Sequence, residues 1–114
     1  MILRKQKPFP QLEGLISILF TLRAKLSDRE MAASDLGAYD EPIAEAALIH
    51  VGSRVDEPHS LLEFCGTSLG DIWRRKRRFR FEVADALALQ AKRGLANELK
   101  EDFPDEIGRL LEQK

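Results

Sequence analysis

The chain has 114 residues, of which 44% are hydrophobic and 32% are charged, and its formal net charge is −1. This length predicts one domain with a hydrophobic core, and the few glycines and prolines exclude a disordered linker. The longest apolar run is far shorter than the roughly 20 residues that span a bilayer, and the first residues lack the apolar region of a secretory signal, so we expect a soluble cytoplasmic protein without a membrane partner.

Charge is segregated along the chain. Residues 28–71 contain ten acidic and two basic residues, whereas residues 74–80 contain six basic and no acidic residues. Electrostatic fields act over a Debye length of about 8 Å, so each block is able to attract a charged partner although the total is near zero.

The first elements are predicted to be an extended arm and two helices. Pro8 and Pro10 each disfavour helix in the residue before them, which predicts an extended N-terminal arm over residues 1–10. Apolar residues then recur with the helical period from Leu12 to Leu26. Ser27 or Asp28 is the expected cap of a second helix.

Residues 36–51 are predicted to form the turn and the second helix of a packed hairpin, whose two helices span residues 28–52. Asp40 is expected to cap the new helix, which starts at about Glu41, and Pro42 lies in its first turn, where a missing N–H is tolerated. Spacings of three and four predict one packed face. Its members are Ile43, Ala46, Ala47, His50 and Val51.

The remaining sequence predicts further helices. The triplet at residues 56–58 repeats the Asp-Glu-Pro of residues 40–42, so a helix is expected to start there and to stop at Gly66. Thr67 or Ser68 would cap the next helix, which buries Trp73. Residues 81–99 are amphipathic and are expected to form one helix or two, because Gly94 weakens the middle of this segment. Ile107, Leu110 and Leu111 are expected to lie in a short closing helix. No strand pattern appears, so we predict an all-α bundle of about five to seven helices.

Few residues suggest chemistry. Residues 66–70 match the G-x-S-x-G nucleophile elbow, but the elbow requires a preceding strand and a later histidine, and both His50 and His59 precede Ser68. The spacing of these histidines and Cys65 fits no compact metal motif, and a lone cysteine forms no internal disulfide. We therefore expect no catalytic residues, no metal and no cofactor.

Two charged segments are candidate binding surfaces. An acidic surface is able to mimic phosphates and block a basic cleft. Its candidates are Asp40, Glu41, Glu45, Asp56, Glu57 and Glu63. A basic strip interleaved with aromatic residues is typical of nucleic-acid binding, unless the aromatic residues face the core. Its candidates are Arg74, Arg75, Lys76, Arg77, Arg78 and Arg80.

The hairpin resembles a HEAT-type helical repeat in its aspartate turn and alanine-rich second helix. The matching residues are Leu36, Asp40, Ile43-Ala44, Ala46-Ala47-Leu48 and Val51-Gly52. Residues 62–73 also resemble small HEAT-like bacterial proteins, some of which are similar to toxin-immunity proteins. The resemblance implies a non-enzymatic protein that neutralises a cognate toxin by masking its active cleft, with the acidic residues as the blocking surface. The alternative is a nucleic-acid-binding or regulatory protein that uses the basic run.

Overall fold

The protein is all-α over the residues that a computed structural model describes, which are the backbone of residues 8–112 and the side chains of residues 11–112. Seven helices lie in that range, which confirms the predicted all-α bundle. In chain order they are α1 (Pro8–Phe20), α2 (Leu26–Leu36), α3 (Pro42–Gly52), α4 (His59–Lys76), α5 (Phe81–Asp85), α6 (Leu89–Leu99) and α7 (Pro104–Glu112). None of these described helices has the length and apolar character needed to cross a membrane.

The long helix α4 is the centre of the bundle and packs against α2, α3 and α6. Its backbone lies directly on α6 because both helices have glycine at the contact. A Cβ atom on Gly66 would lie 2.0 Å from the carbonyl oxygen of Ala91, and one on Gly94 would lie 2.5 Å from that of Glu63. These glycines serve close helix packing.

The predicted helix break at Gly66 is therefore wrong, since α4 continues through it to Lys76. Ser68 is not a cap either. It lies inside α4, is 3% exposed, and its Oγ donates a hydrogen bond of 2.6 Å to the carbonyl of Ala33 on α2. The serine joins two helices rather than starting one.

Helix α1 differs from the prediction at both ends. It begins at Pro8, so the extended arm is wrong for residues 8–10, and the rest of that arm lies outside the described residues. Prolines are tolerated here because the first N–H groups of a helix have no partner within it. The helix ends at Phe20, where the Thr21 hydroxyl donates to the Ser17 carbonyl, and Leu22 is 66% exposed.

Helix α3 packs with a different face from the predicted one. Pro42 lies in its first turn, as predicted, and is its first residue. The capping position is Glu41 rather than the predicted Asp40, and no side chain caps the helix. Only Ala47 and Val51 of the predicted face are buried. Ala44, Glu45 and Leu48 complete the buried side, whereas Ile43, Ala46 and His50 are exposed. The same three-and-four spacing fits both faces, so local pattern alone does not distinguish them.

Residues 81–99 form two helices, and this decides the open alternative. The break lies at residues 86–88, where the Ala88 N–H donates to the Gly52 carbonyl at 2.9 Å, and not at Gly94, which is inside α6. The short closing helix α7 is confirmed. Trp73 is fully buried, also as predicted, and its position in the core brings the end of α4 against α3.

Candidate functional site

The acidic and basic segments, predicted as separate surfaces, are largely paired with each other inside the fold. Glu45 and Glu57 are only 4% and 6% exposed, so the prediction that they belong to an exposed acidic surface is wrong. Burying a carboxylate is unfavourable unless charges and hydrogen bonds compensate it, and both residues have such partners.

Glu57 is paired with Arg29, which is also buried. Two parallel hydrogen bonds of 2.9 Å join the guanidinium to the carboxylate, and Arg29 Nε donates to the carbonyl of Leu19 at 2.9 Å. This pair connects α2 with the end of α1 and with the loop before α4. Glu57 therefore has a structural role.

The first two arginines of the basic run are also neutralised within the fold. Arg74 contacts the carboxylates of Asp71 and Glu98. Arg75 donates to Asp40 at 2.9 Å and to the carbonyl of Gly37 at 2.8 Å. Asp40, predicted as the cap of α3, instead attaches the turn between α2 and α3 to α4.

Three further members of the run, Lys76, Arg78 and Arg80, converge on Glu45. Its Oε2 accepts hydrogen bonds from Trp73 Nε1 at 2.8 Å and from Arg80 Nη1 at 3.0 Å. Arg78 Nη2 and Lys76 Nζ lie 3.5 Å and 4.0 Å from its Oε1. Burial alone would raise the pKa of Glu45, but the hydrogen bonds from Trp73 and Arg80 and the positive charges of Arg80 and Lys76 together bring this pKa below its ordinary value.

A left-handed residue produces this convergence. Arg77 has φ 55° and ends α4, and the Arg78 N–H then donates back to the Trp73 carbonyl at 3.1 Å. The chain reverses there, so Arg78 and Arg80 point towards Glu45. Phe79, between them, packs inward against Trp73 and Phe103 with ring centroids 5.4 Å and 5.6 Å away.

The aromatic residues of the run therefore face the core. Trp73 is fully buried, and Phe79 and Phe81 are partly buried against the same hydrophobic cluster. Of the two alternatives that the sequence left open, the structure has the one in which the aromatic residues face the core, so their faces are occupied by protein rather than available to bases. The positively charged side chains of the run extend outwards from these packed aromatic residues.

The result is a cleft of about 710 Å³ between α3 and the end of the basic run. It is lined by Pro42, Glu45, Ala46, Ile49, His50, Lys76, Arg78 and Arg80. We call Lys76, Arg78 and Arg80 the cationic cluster. These three cations share one carboxylate at 4.0 Å or less, whereas Arg74 contacts two carboxylates by itself. Lys76, Arg78 and Arg80 therefore bring three positive charges against one negative charge at this cleft.

The other predicted acidic residues are not gathered at one place. Glu41 is half-buried at the start of α3, and Asp56 lies 3.8 Å from Arg54 in the loop before α4. Glu63 is exposed on α4 and lines a separate groove of about 290 Å³ with Arg93 and Lys100. A continuous acidic surface built from the six predicted residues is therefore absent from the described part of the chain.

The residues that were considered for catalysis or metal binding lie in surroundings that do not fit either role. Ser68 lies in the middle of a helix, which is incompatible with the strand-turn-helix geometry of a nucleophile elbow. Burial, followed by the negative charge of Glu57, raises the pKa of the Cys65 thiol to about 12. Within residues 8–112, no three His, Cys, Asp or Glu side chains are grouped so that they could hold a metal ion.

Sequence reasoning identified the cations of the cleft but not its opposite wall. Ala46 and His50, which line that wall, were assigned to a packed face. The stacking of His50 on Phe20, with centroids 5.1 Å apart, was not predicted. The available signal was that Glu45 is the one Asp, Glu, Lys or Arg of α3, which is unusual for a helix with a solvent-facing side.

No known family, curated protein or solved structure matches the chain. The resemblance to HEAT-type repeats and to toxin-immunity proteins therefore stays a prediction.

Proposed function

We propose that this protein is a non-enzymatic module that binds an acidic surface of another protein through the cationic cluster. The observation that carries the proposal is the uneven neutralisation of the basic run, in which Lys76, Arg78 and Arg80 share one buried carboxylate. An acidic partner would supply the missing negative charge, and its attraction to the cleft would increase the association rate.

The side chains of the cluster retain the capacity to bind such a partner. Arg78 and Arg80 are 54% and 42% exposed, and each guanidinium has five N–H donors in a planar fork that matches carboxylates. Glu45 accepts a hydrogen bond from Arg80 Nη1 at 3.0 Å, and Arg78 Nη2 lies 3.5 Å from its carboxylate. Because both side chains are about half exposed, each fork presents N–H donors that a second carboxylate can bind.

The alternative, a nucleic-acid-binding or regulatory protein, has less support from the geometry. The aromatic residues that would stack on bases are packed into the core, and the net charge of the chain is −1. Nucleic-acid-binding domains usually have a pI above about 9. The basic run is also divided between separate carboxylates rather than aligned along one groove.

A toxin-neutralising immunity protein is the most specific form of the proposal. Two of the six acidic residues first assigned to the blocking surface are buried, so we assign the toxin-facing surface to the cationic cluster instead. This form predicts that a neighbouring gene encodes a toxin. Co-expression of that toxin with the wild-type protein should restore growth, and Arg78→Gln with Arg80→Gln should abolish the rescue.

The general proposal is tested by comparing two polyanions. Fluorescein-labelled polyglutamate and a single-stranded oligonucleotide of equal charge are titrated with the protein, with binding followed by fluorescence anisotropy. We expect salt-sensitive binding of polyglutamate that is lost in Arg78→Gln with Arg80→Gln.

The matched control is Arg93→Gln with Lys100→Gln. It removes the same charge from an exposed region of α6 and the residue after it, and it should bind polyglutamate like the wild type. Preferential binding of the oligonucleotide, with a steep salt dependence, would contradict the proposal and favour the nucleic-acid alternative.

A further inference from the structure

Helix α3 presents to solvent a strip that has no Asp, Glu, Lys or Arg, and this strip lies beside the cationic cluster. Glu45, the one residue of these four types in α3, is buried. At 100° per residue, the five residues of the opposite side fall within about 120° of arc. They are Pro42, Ile43, Ala46, Ile49 and His50, and we call them the α3 strip.

The α3 strip is unusual for an outer helix face, which normally has charged residues in contact with water. Ile43 is 51% exposed, and Pro42, Ala46 and His50 are also exposed. Exposed apolar surface of this kind, when contiguous and bordered by polar groups, is typical of a docking site.

The two long edges of the α3 strip have different chemistry. Glu45 lies next to Ile49 in the helical projection, so the cationic cluster borders the strip on that side. On the other edge, His50 stacks on Phe20 of α1, which is 40% exposed. An occupant must therefore be apolar in the middle and acidic along one side only.

We propose that the α3 strip and the cationic cluster together dock an amphipathic acidic helix of the partner protein. The inference rests on the proposed function and adds that the partner segment which binds here is an amphipathic helix. Aliphatic side chains of that helix lie on Ile43, Ala46 and Ile49, and carboxylates along its flank contact Lys76, Arg78 and Arg80. The strip extends over eight residue steps, or about 12 Å, which corresponds to about two turns of the partner helix.

The test uses two fluorescein-labelled peptides of identical composition. The first is a helix of about four turns with leucines at spacings of three and four and glutamates on one flank, and the second is a scrambled version without an apolar face. We expect the amphipathic peptide to bind at least tenfold more tightly, measured by fluorescence anisotropy.

Variants separate the apolar contribution from the charge contribution. Ile43→Gln with Ala46→Gln removes exposed apolar side chains and should weaken the amphipathic peptide about tenfold while leaving the scrambled peptide unchanged. Leu89→Gln, at an apolar residue of α6 that is 57% exposed, is the matched control and should bind both peptides like the wild type.

The outcomes distinguish this inference from the proposed function. Equal binding of the two peptides, both lost in Arg78→Gln with Arg80→Gln, would overturn the docking inference and leave the acidic-partner function intact. Absence of binding for both peptides, together with binding of the oligonucleotide, would overturn both.

Discussion

Replacing Glu45 tests whether the cationic cluster is built on this one carboxylate. Glu45→Ala removes the acceptor of the buried Trp73 N–H, and leaving such a donor unsatisfied costs about 1–3 kcal/mol. It also removes the counter-charge of three cations, but Arg78 and Arg80 are about half exposed, so water screens most of that effect. We expect a loss of about 2 kcal/mol in the free energy of unfolding, most of it from the unsatisfied Trp73 donor.

Glu45→Gln separates the hydrogen bond from the charge. The amide keeps the shape of the side chain and an oxygen that accepts from Trp73, so the expected loss is only about 1 kcal/mol. Trp73 is the one tryptophan of the chain and is fully buried, so its fluorescence reports urea unfolding directly. Glu63→Ala, an exposed carboxylate on α4, is the control and should change stability by less than about 0.5 kcal/mol. Equal losses for the alanine and glutamine variants would refute the assigned role of the Trp73 hydrogen bond.

Three further predictions concern the packing and titration of buried groups. Gly66→Ala should destabilise the fold by about 3 kcal/mol because the added Cβ meets the Ala91 backbone, whereas Gly108→Ala, with no other group within 4 Å of its Cβ, should stabilise the fold by up to about 1 kcal/mol. Urea unfolding measures both changes in stability. Similar effects of the two substitutions would contradict the close contact between α4 and α6. Cys65, with a thiol pKa of about 12, should react with Ellman's reagent at pH 8 only as fast as the protein unfolds, and rapid stoichiometric labelling would show that the thiol is accessible. The lowered pKa of Glu45 means that its ionised form stabilises the fold above its ordinary pKa of 4.5, and that this contribution is lost as the pH falls from there through the lowered pKa. The stability difference between wild type and Glu45→Gln should therefore shrink below about pH 4.5, and a constant difference from neutral to acidic pH would argue against it.

The helices could be predicted from the sequence more reliably than their boundaries. Periodicity and helix-start residues predicted an all-α bundle, the proline at the start of α3 and the short closing helix. Gly66 was misread because glycine has two uses that look identical in sequence. It ends helices, and it also allows two helix backbones to touch, as α4 and α6 do here.

The site could be predicted only in part because charge pairing is a tertiary property. The clustered cations were evident, but the partner of each one depends on helix order in space. Arg29 gave no local signal, since its carboxylate partner Glu57 is 28 residues away. For α3, two faces fit one apolar period, and the packing of Trp73 against Glu45 selects the face that leaves Ile43 exposed.

The fold requires only part of the charge that it gathers at the cleft. Glu45 is already satisfied by Trp73 at 2.8 Å and Arg80 at 3.0 Å, whereas Arg78 and Lys76 are farther away, at 3.5 Å and 4.0 Å. A half-exposed arginine at 3.5 Å contributes little to stability, because water screens the pair and the long side chain loses conformational entropy. The same residue contributes its full charge to a partner that excludes this water, since a Coulomb interaction strengthens as the local dielectric constant falls. Under the proposed function, Arg78 and Lys76 contribute more to binding than to folding, so substitutions at these two residues should weaken partner binding without unfolding the bundle.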